Sequence, residues 1–163
     1  MRTLTLSCVT ICLAAVVNAQ TGRSTLEGVW RITAIEVTGA NPSANKSPQP
    51  SQYIFTRGHY SVVQINGSMP RTALPPAKTP GSPTEAEKLQ AFEHWAPVTA
   101  QSGTYTIKGN VVSLRPLVAK NHGVMTGGGS SREFSIRSND TLRLVVKSQD
   151  GKSTQTTTLT RIE

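Results

Sequence analysis

The three histidines are the residues of this sequence best suited to metal binding or acid–base chemistry. His59, His94 and His122 lie far apart, without the close spacing on one element that brings metal ligands together. Glu93 is adjacent to His94, but neighbouring residues of a helix do not face each other. We therefore expect surface or structural roles for the three histidines, no metal site and no cofactor.

Glu36 is the carboxylate that could act as an acid. It shares the alternation of Trp30, so it could point to the same face of a strand and pair with Arg115 or Arg143 at a shifted pKa. Alternatively, it lies at a rim, in water. No serine stands in a Gly-x-Ser-x-Gly motif, and the glycine run 127–129 lacks the Lys-Ser/Thr ending of a phosphate loop. Catalytic residues stay unknown, and the sequence leaves open whether the protein is an enzyme.

Residues 1–19 have the composition of a secretory signal peptide. Arg2 supplies a positive charge, residues 4–17 are mostly apolar and uncharged, and Ala19 fits a small-residue cleavage site. The apolar stretch is shorter than the roughly 20 residues of a membrane span. We therefore expect cleavage between Ala19 and Gln20, a secreted or periplasmic mature protein, and no transmembrane span.

Cysteine usage and charge exclude further classes of site. Cys8 and Cys12 both lie inside the predicted signal peptide, so the mature chain has no disulfide, reactive thiolate or Cys-ligated metal. The sequence has 17 Lys and Arg against 9 Asp and Glu, a net charge of +8. These basic residues are scattered, without a run of three, so we expect no nucleic-acid binding, while affinity for an anionic envelope stays open.

Strand patterns rich in β-branched and aromatic residues recur through the rest of the chain. Short turns such as Gly109-Asn110 and Asp150-Gly151 join neighbouring strands as hairpins. The predicted strands are 28–37, 52–56, 59–65, 98–108, 111–119, 132–137, 141–149 and 154–162. Segments rich in Pro or Gly are predicted as loops, at 41–51, 67–81 and 121–131. The sequence assigns no role to these loops.

One helix is predicted in the middle of the chain. Ser82 fits its N-cap, Pro83 its first position, and Glu85 completes a capping box. The helix should end near Trp95, because Pro97 disfavours helix at the residue before it. Its apolar side would consist of Ala86, Leu89 and Phe92.

The order of these elements predicts an all-β fold. Eight antiparallel strands joined mostly as hairpins can close into an up-and-down barrel, which removes the sheet edges. One short helix would lie between strands 3 and 4. A β-sandwich is the alternative, but it needs longer crossovers. A barrel of eight strands has room for packed side chains or for one small ligand.

The hairpin pairings place one set of apolar and aromatic side chains on the inner face of this barrel. Its members are Trp30, Ile32, Tyr53, Phe55, Tyr60, Val62, Tyr105, Ile107, Val112, Leu114, Phe134, Ile136, Leu142, Leu144 and Leu159. Mostly apolar walls with a few polar groups are typical of a small-molecule pocket, and these residues are the candidate ligand-binding residues. Alternatively, they fill the barrel and leave no cavity.

Four motifs follow one another in an order that is informative. They are Gly28-x-Trp30, the segments 53–62 (YIFTRGHYSV) and 102–106 (SGTYT), and Arg132-x-Phe134. In this order they resemble the bacterial secreted lipocalin-like domain family, of the calycin group, over residues 26–162. The resemblance implies a calycin-type barrel, a small apolar ligand, and a structural cation–π contact between Arg161 and Trp30. It implies no known reaction.

Three functions are compatible with this sequence. The first is a binding module that holds a small apolar or amphipathic ligand inside the barrel. The second is a barrel enzyme of isomerase or cyclase type, with an acid such as Glu36 at the mouth. The third is an envelope-interaction protein with a filled barrel. Fold alone does not choose between them, and the sequence identifies neither the ligand nor the oligomeric state.

Overall fold

The computed structural model describes residues 26–67, 69–138 and 140–163. The predicted signal peptide, with its cleavage site, lies outside the described residues. The described strands are β1 (Gly28–Gly39), β2 (Ser43–Asn45), β3 (Gln52–Phe55), β4 (His59–Ile65), β5 (Val98–Lys108), β6 (Val111–Ala119), β7 (Ser130–Ser138), β8 (Thr141–Lys147) and β9 (Ser153–Arg161). The described helices are α1 (Glu85–Trp95) and α2 (His122–Thr126).

Eight of the described strands close into an antiparallel barrel. Strands β3 to β8 each pair with the next strand in sequence, while β1 pairs with β3 on one side and with β9 on the other. The ring therefore closes between the first and the last strand, so its members share their backbone hydrogen bonds all round. The predicted all-β, eight-stranded, up-and-down architecture is confirmed.

The predicted place of the helix is wrong. It was expected between strands 3 and 4, whereas α1 follows β4. The difference arises from β2, which lies inside the segment 41–51 that was predicted as a loop. Its three residues pair with Ile35 to Val37 of β1, beyond the stretch of β1 that pairs with β3. Such a short strand exists only because β1 offers it a free edge, and its own sequence carries no strand signal.

Helix α1 begins two residues later than predicted. Its N-cap is Thr84, whose hydroxyl accepts from the backbone N–H of Glu87, while the Glu87 carboxylate accepts from the backbone N–H of Thr84. Ser82 and Glu85 fit the same pattern, but Glu87 also accepts from the backbone N–H of Lys78 at 2.9 Å. That third bond connects the preceding loop to the capping box of Thr84 and Glu87, which is the one that forms.

The connections show two further features that the sequence did not predict. None of the residues of α1 is buried, so its apolar side does not pack on the barrel; Phe92 is 70% exposed. The loop predicted at 121–131 contains α2, which starts at an Asn121 cap. Residues 130 and 131, at the end of that segment, belong to β7.

The predicted hairpin registers agree with the observed pairing. The confirmed pairs are Phe55 with Tyr60, Tyr53 with Val62, Tyr105 with Leu114, Ile107 with Val112, Ile136 with Leu142, and Phe134 with Leu144. These pairs lie close to short turns, where turn length fixes which residues face each other.

The two ends of the barrel differ. At the hairpin end, defined by the turns at 57–58 and 109–110 and by the connection between β7 and β8, the connections are short. At the loop end, defined by the connections 40–51, 66–97 and 120–129, they are long and carry β2 and both helices. Long connections are where binding residues are usually found, so the loop end is the side of the fold that could carry a site.

The hairpin end is sealed around Trp30. Its indole N–H donates to the carbonyl of Leu26 at 2.8 Å, and the Arg161 guanidinium lies 4.1 Å from its ring centroid. Arg161 also donates to the carbonyl of Glu27 at 2.5 Å. A Cβ on Gly28 would collide with the Arg161 guanidinium, which explains the glycine two residues before Trp30. The predicted Trp30–Arg161 contact is confirmed.

Candidate functional site in the barrel interior

The interior of the barrel contains nearly all of the predicted inner-face residues. Phe134 and Ile136 are partly buried and pack against a cluster of buried side chains. That cluster includes Trp30, Ile32, Tyr53, Phe55, Tyr60, Val62, Tyr105, Val112, Leu114, Leu142, Leu144 and Leu159. It also includes Leu26, which lies before β1 and has no strand signal that could have predicted it.

Ile107 is the exception among the predicted inner-face residues. It is 40% exposed, although its strand partner Val112 is fully buried. Ile107 lies two residues before the turn at Gly109, where β5 projects past the packed core. The alternation of β5 was predicted correctly, but alternation does not show where a strand leaves the core.

Aromatic rings form much of the packed interior. Tyr53 stacks on Phe55 with ring centroids 6.0 Å apart, and Phe55 meets Tyr105 edge to face at 5.3 Å. The hydroxyl of Tyr105 donates to the carbonyl of Thr56 at 2.9 Å. Edge-to-face and offset contacts of this kind stabilise a core beyond simple burial.

Glu36 does not face this interior. The pairing of β1 with β9 shifts between Ile32 and Ala34, and the bulge there reverses the alternation of the rest of the strand. Ile35 therefore packs against the core, whereas Glu36 is exposed and pairs with Thr156. Of the two interpretations of Glu36, the structure supports the solvent-exposed one. The sequence around this bulge gives no signal of it.

Arg132 is a charged interior residue that the sequence analysis did not identify. It shares the alternation of Phe134 and Ile136 along β7, so the signal was present in the strand pattern. Its Nη1 donates to the hydroxyl of Tyr53 at 2.5 Å, and its guanidinium carbon lies 5.6 Å from the Tyr53 ring centroid. Its Nε is buried without a hydrogen-bond partner. The barrel thus contains a cation against an aromatic wall.

Tyr60 places a second unsatisfied group in the interior. Its side chain is 3% exposed, and its hydroxyl is buried without a hydrogen-bond partner. Burial raises the pKa of this hydroxyl above its ordinary value, an effect that the charge of Arg132 partly offsets and Tyr53 reinforces. Tyr60 therefore stays protonated near neutral pH and can donate a hydrogen bond.

Two clefts open at the loop end. One, of about 370 Å³, is lined by the inner-face side chains Ile35, Gln64 and Gln155 together with β2 and the residues after β4. The other, of about 480 Å³, lies between the start of β5, the end of β6 and α2. Volumes of this size are in the range of small-molecule sites.

Lys120 lines the larger cleft, but its ammonium group is already engaged. It donates to the carbonyl oxygens of Trp95, of Ala96 at 3.2 Å and of Val98 at 3.0 Å. Carbonyls at the C-terminus of a helix attract cations, so Lys120 fixes α1 to the barrel. These three carbonyls occupy the N–H donors of the ammonium group, which leaves it little capacity to donate to a ligand.

The histidines do not form a site together. His59 contacts the carbonyl of Arg57 at 3.2 Å, and His94 lies between the guanidinium of Arg71 at 2.7 Å and the carbonyl of Thr72 at 2.8 Å. His122 is the first residue of α2. Within the described ranges, no three His, Cys, Asp or Glu side chains come together as metal ligands.

No helix in the described part of the chain is long and apolar enough to cross a membrane.

Comparisons with known proteins give similarities of fold. No family model matches the sequence, and no curated protein matches it either. The chain is similar to a lipocalin-like protein from Bacteroides uniformis ATCC 8492, with 16% identity, a TM-score of 0.47, and coverage of 85% of this chain and 99% of that one. It is also similar to an uncharacterized protein from Bacteroides eggerthii DSM 20697, with 12% identity, a TM-score of 0.44, and coverage of 83% and 98%. By its own strand order and closure, the barrel is the lipocalin-like, calycin-type architecture that the order of the sequence motifs predicted.

Proposed function

We propose that this protein binds a small amphipathic molecule in its barrel, which enters from the loop end. The observation that carries the proposal is the cleft of about 370 Å³ that inner-face side chains line at that end. Ile35 offers it an apolar wall, while Gln64 and Gln155 offer amide donors and acceptors. A ligand with apolar and polar parts matches this mixed lining.

The packing of the hairpin end limits how far such a ligand can enter. Leu26, Trp30 and Leu159 are fully buried there, and Arg161 covers the indole ring. Filling this end leaves the loop end as the route of entry. The interior aromatic cluster then forms the floor of the site rather than its walls, which differs from the set of wall residues predicted from the sequence.

Native mass spectrometry of the protein purified from its own host tests the proposal. We expect a reproducible extra mass that denaturation releases. A Gln155→Trp variant, which fills the cleft, should lose this mass, while Thr156→Trp, on the outer face of the same strand, should retain it. A bare mass for the wild type, or a ligand that survives Gln155→Trp unchanged, contradicts binding in this cleft.

The same spectrum tests the proposed export. We propose that residues 1–19 are removed and that the mature chain is secreted or periplasmic, on the strength of the charged start, apolar stretch and small-residue site. The mature protein should then have the mass of a chain that begins at Gln20. A protein that retains Met1 contradicts this proposal.

The structure weakens the enzyme hypothesis and adds one observation in favour of a surface-interaction function. An enzyme with Glu36 as its acid loses support, since that carboxylate lies outside the barrel. A surface-interaction function is favoured by α1, which exposes Leu89, Phe92 and Trp95 to solvent. It becomes the better proposal if the wild-type protein is isolated with a bare mass.

A further inference from the structure

We propose that the cleft of about 370 Å³ at the loop end binds a short, uncharged peptide segment, which adds to the barrel as an extra strand between β2 and β4. This inference rests on the proposed function and names the chemical class of its ligand. The observation behind it is that two strands border the cleft with open backbone edges.

β2 supplies the first of these edges. Within the described part of the chain it pairs with β1 alone, and all three of its residues line the cleft. A strand that is paired on one side only presents N–H and C=O groups of alternate residues on its other side. These groups are a template for a further strand.

Ala44 is the residue of β2 whose backbone lies on this open edge. Residues of an inner strand bond alternately to the neighbour on each side. The N–H of Ala40, just after β1, donates to the carbonyl of Lys152, on the side of β9, so Glu36 bonds to β9 in the same alternation. Because Glu36 is the β1 residue opposite Ala44, the N–H and C=O of Ala44 point away from β1.

The end of β4 supplies the second edge. Among the described strands, its last two residues pair with β5 and not with β3. The N–H of Asn66 donates to the carbonyl of Pro97, on the side of β5, so Ile65 directs its backbone to the opposite side, beyond the end of β3. Its N–H donates to the hydroxyl of Ser51 at 3.0 Å, and its carbonyl lies on the same edge, which borders the cleft.

A peptide backbone is the ligand that matches two such edges. A strand between them would exchange hydrogen bonds on both sides, in line with the position that β3 has further along the barrel. Its side chains would alternate between the two faces, so that every second one points to the floor of the cleft, where Ile35 packs against the core. A simple amphiphile has too few donors and acceptors to pair with both edges.

The lining of the cleft favours an uncharged segment. Its side chains are aliphatic, hydroxyl or amide groups, and none of them is charged. The amide of Gln64 donates to that of Asn66 at 3.0 Å, and Asn66 donates in turn to the hydroxyl of Thr99, so this polar wall is held in place. A charged end would lose water there without gaining a counter-charge. The ligand is therefore an internal segment of a polypeptide rather than a free terminus.

Isothermal titration of the protein with acetyl-Thr-Val-Thr-Val-Thr-amide tests the inference. The matched probe is the depsipeptide in which ester oxygens replace the three central N–H groups, because it keeps the side chains and loses the donors. We expect the peptide to bind about tenfold more tightly than the depsipeptide, and several-fold more tightly than the same peptide with free, charged ends. Amide hydrogen exchange at Ala44 should slow when the peptide is bound.

Two pairs of variants locate the site. Ala44→Pro removes the outward N–H and leaves the bonds to β1 in place, since proline is tolerated on an edge strand where the N–H is unpaired. It should weaken peptide binding about tenfold, whereas Ala44→Val, which keeps the N–H, should retain it. Gln155→Trp, which fills the cleft, should abolish binding, and Thr156→Trp, on the outer face, should not.

The outcomes separate this inference from the proposed function. Equal affinity for peptide and depsipeptide overturns recognition of the backbone and leaves binding in the cleft intact, and equal affinity for blocked and free ends overturns the preference for an internal segment. Peptide binding that persists in both Ala44→Pro and Gln155→Trp overturns the assignment to this cleft. Failure of the peptide to bind, in a protein isolated with a ligand that Gln155→Trp loses, overturns the peptide and keeps the proposed function. Failure together with a bare mass overturns both.

Discussion

At the scale of single residues, the interior combines satisfied and unsatisfied polar groups. Tyr105 donates to a carbonyl, whereas Tyr60 has no partner and Arg132 has only neutral ones. A purely structural core tends to satisfy such groups or to omit them. The alternation of β7 could have placed Arg132 inside from the sequence alone. The missing partner of Tyr60 could not have been predicted, because it depends on every neighbour of one hydroxyl.

Removing a hydroxyl from each of these tyrosines should have opposite effects on the ligand-free protein. Tyr60→Phe removes a buried group without a partner, so we expect the free energy of unfolding to rise by about 1 kcal/mol. Tyr105→Phe removes a donor from the carbonyl of Thr56, and we expect a loss of about 1 kcal/mol. Urea unfolding of both variants measures the difference. Equal losses would show that Tyr60 has a partner after all.

At the scale of elements, features fixed by local sequence were predictable and those fixed by distant partners were not. Hairpin registers follow from turn length, so the pairs of Tyr53 with Val62 and Phe134 with Leu144 were predicted correctly. The bulge before Ala34 and the strand β2 arise from what β1 pairs with, which its own sequence does not show. The reversed face of Glu36 follows from that bulge.

The capping box of α1 gives a prediction at this scale. Thr84→Ala should weaken the helix start by about 1 kcal/mol, and thus speed amide hydrogen exchange in the first turn of α1 about fivefold. Ser82→Ala, at the cap predicted from the sequence, should leave exchange unchanged. A larger effect of Ser82→Ala would place the cap at the earlier residue.

The same box should make the start of α1 sensitive to acid. Hydrogen bonds from the backbone N–H of Lys78, then from the backbone and hydroxyl of Thr84, lower the pKa of the Glu87 carboxylate below its ordinary value. A lowered folded-state pKa stabilises the helix start above the unfolded pKa, and this stability is lost as pH falls through the folded one. Exchange protection of α1 should fall on acidification, and Glu87→Gln should remove that dependence.

At the scale of the whole molecule, the two ends of one barrel have separate tasks. At the hairpin end, Arg161 covers Trp30 at the first pair of the ladder between the closing strands β1 and β9. The loop end carries the clefts and the long connections. A chain whose predicted mature part lacks cysteine depends on packing alone for this closure, which makes the seal at Trp30 important for stability.

Replacing Arg161 at the hairpin end should lower stability and leave ligand binding at the loop end in place. Arg161→Leu removes a cation–π contact and a charged hydrogen bond, so we expect the free energy of unfolding to fall by about 2 kcal/mol. Urea unfolding monitored by circular dichroism measures this change. Ligand binding should persist in the folded variant, because the seal lies at the opposite end from the proposed route of entry. Arg115→Leu, on the exposed outer face of β6, should change neither property. If Arg161→Leu cost no more stability than Arg115→Leu, the contact over Trp30 would not hold the barrel closed.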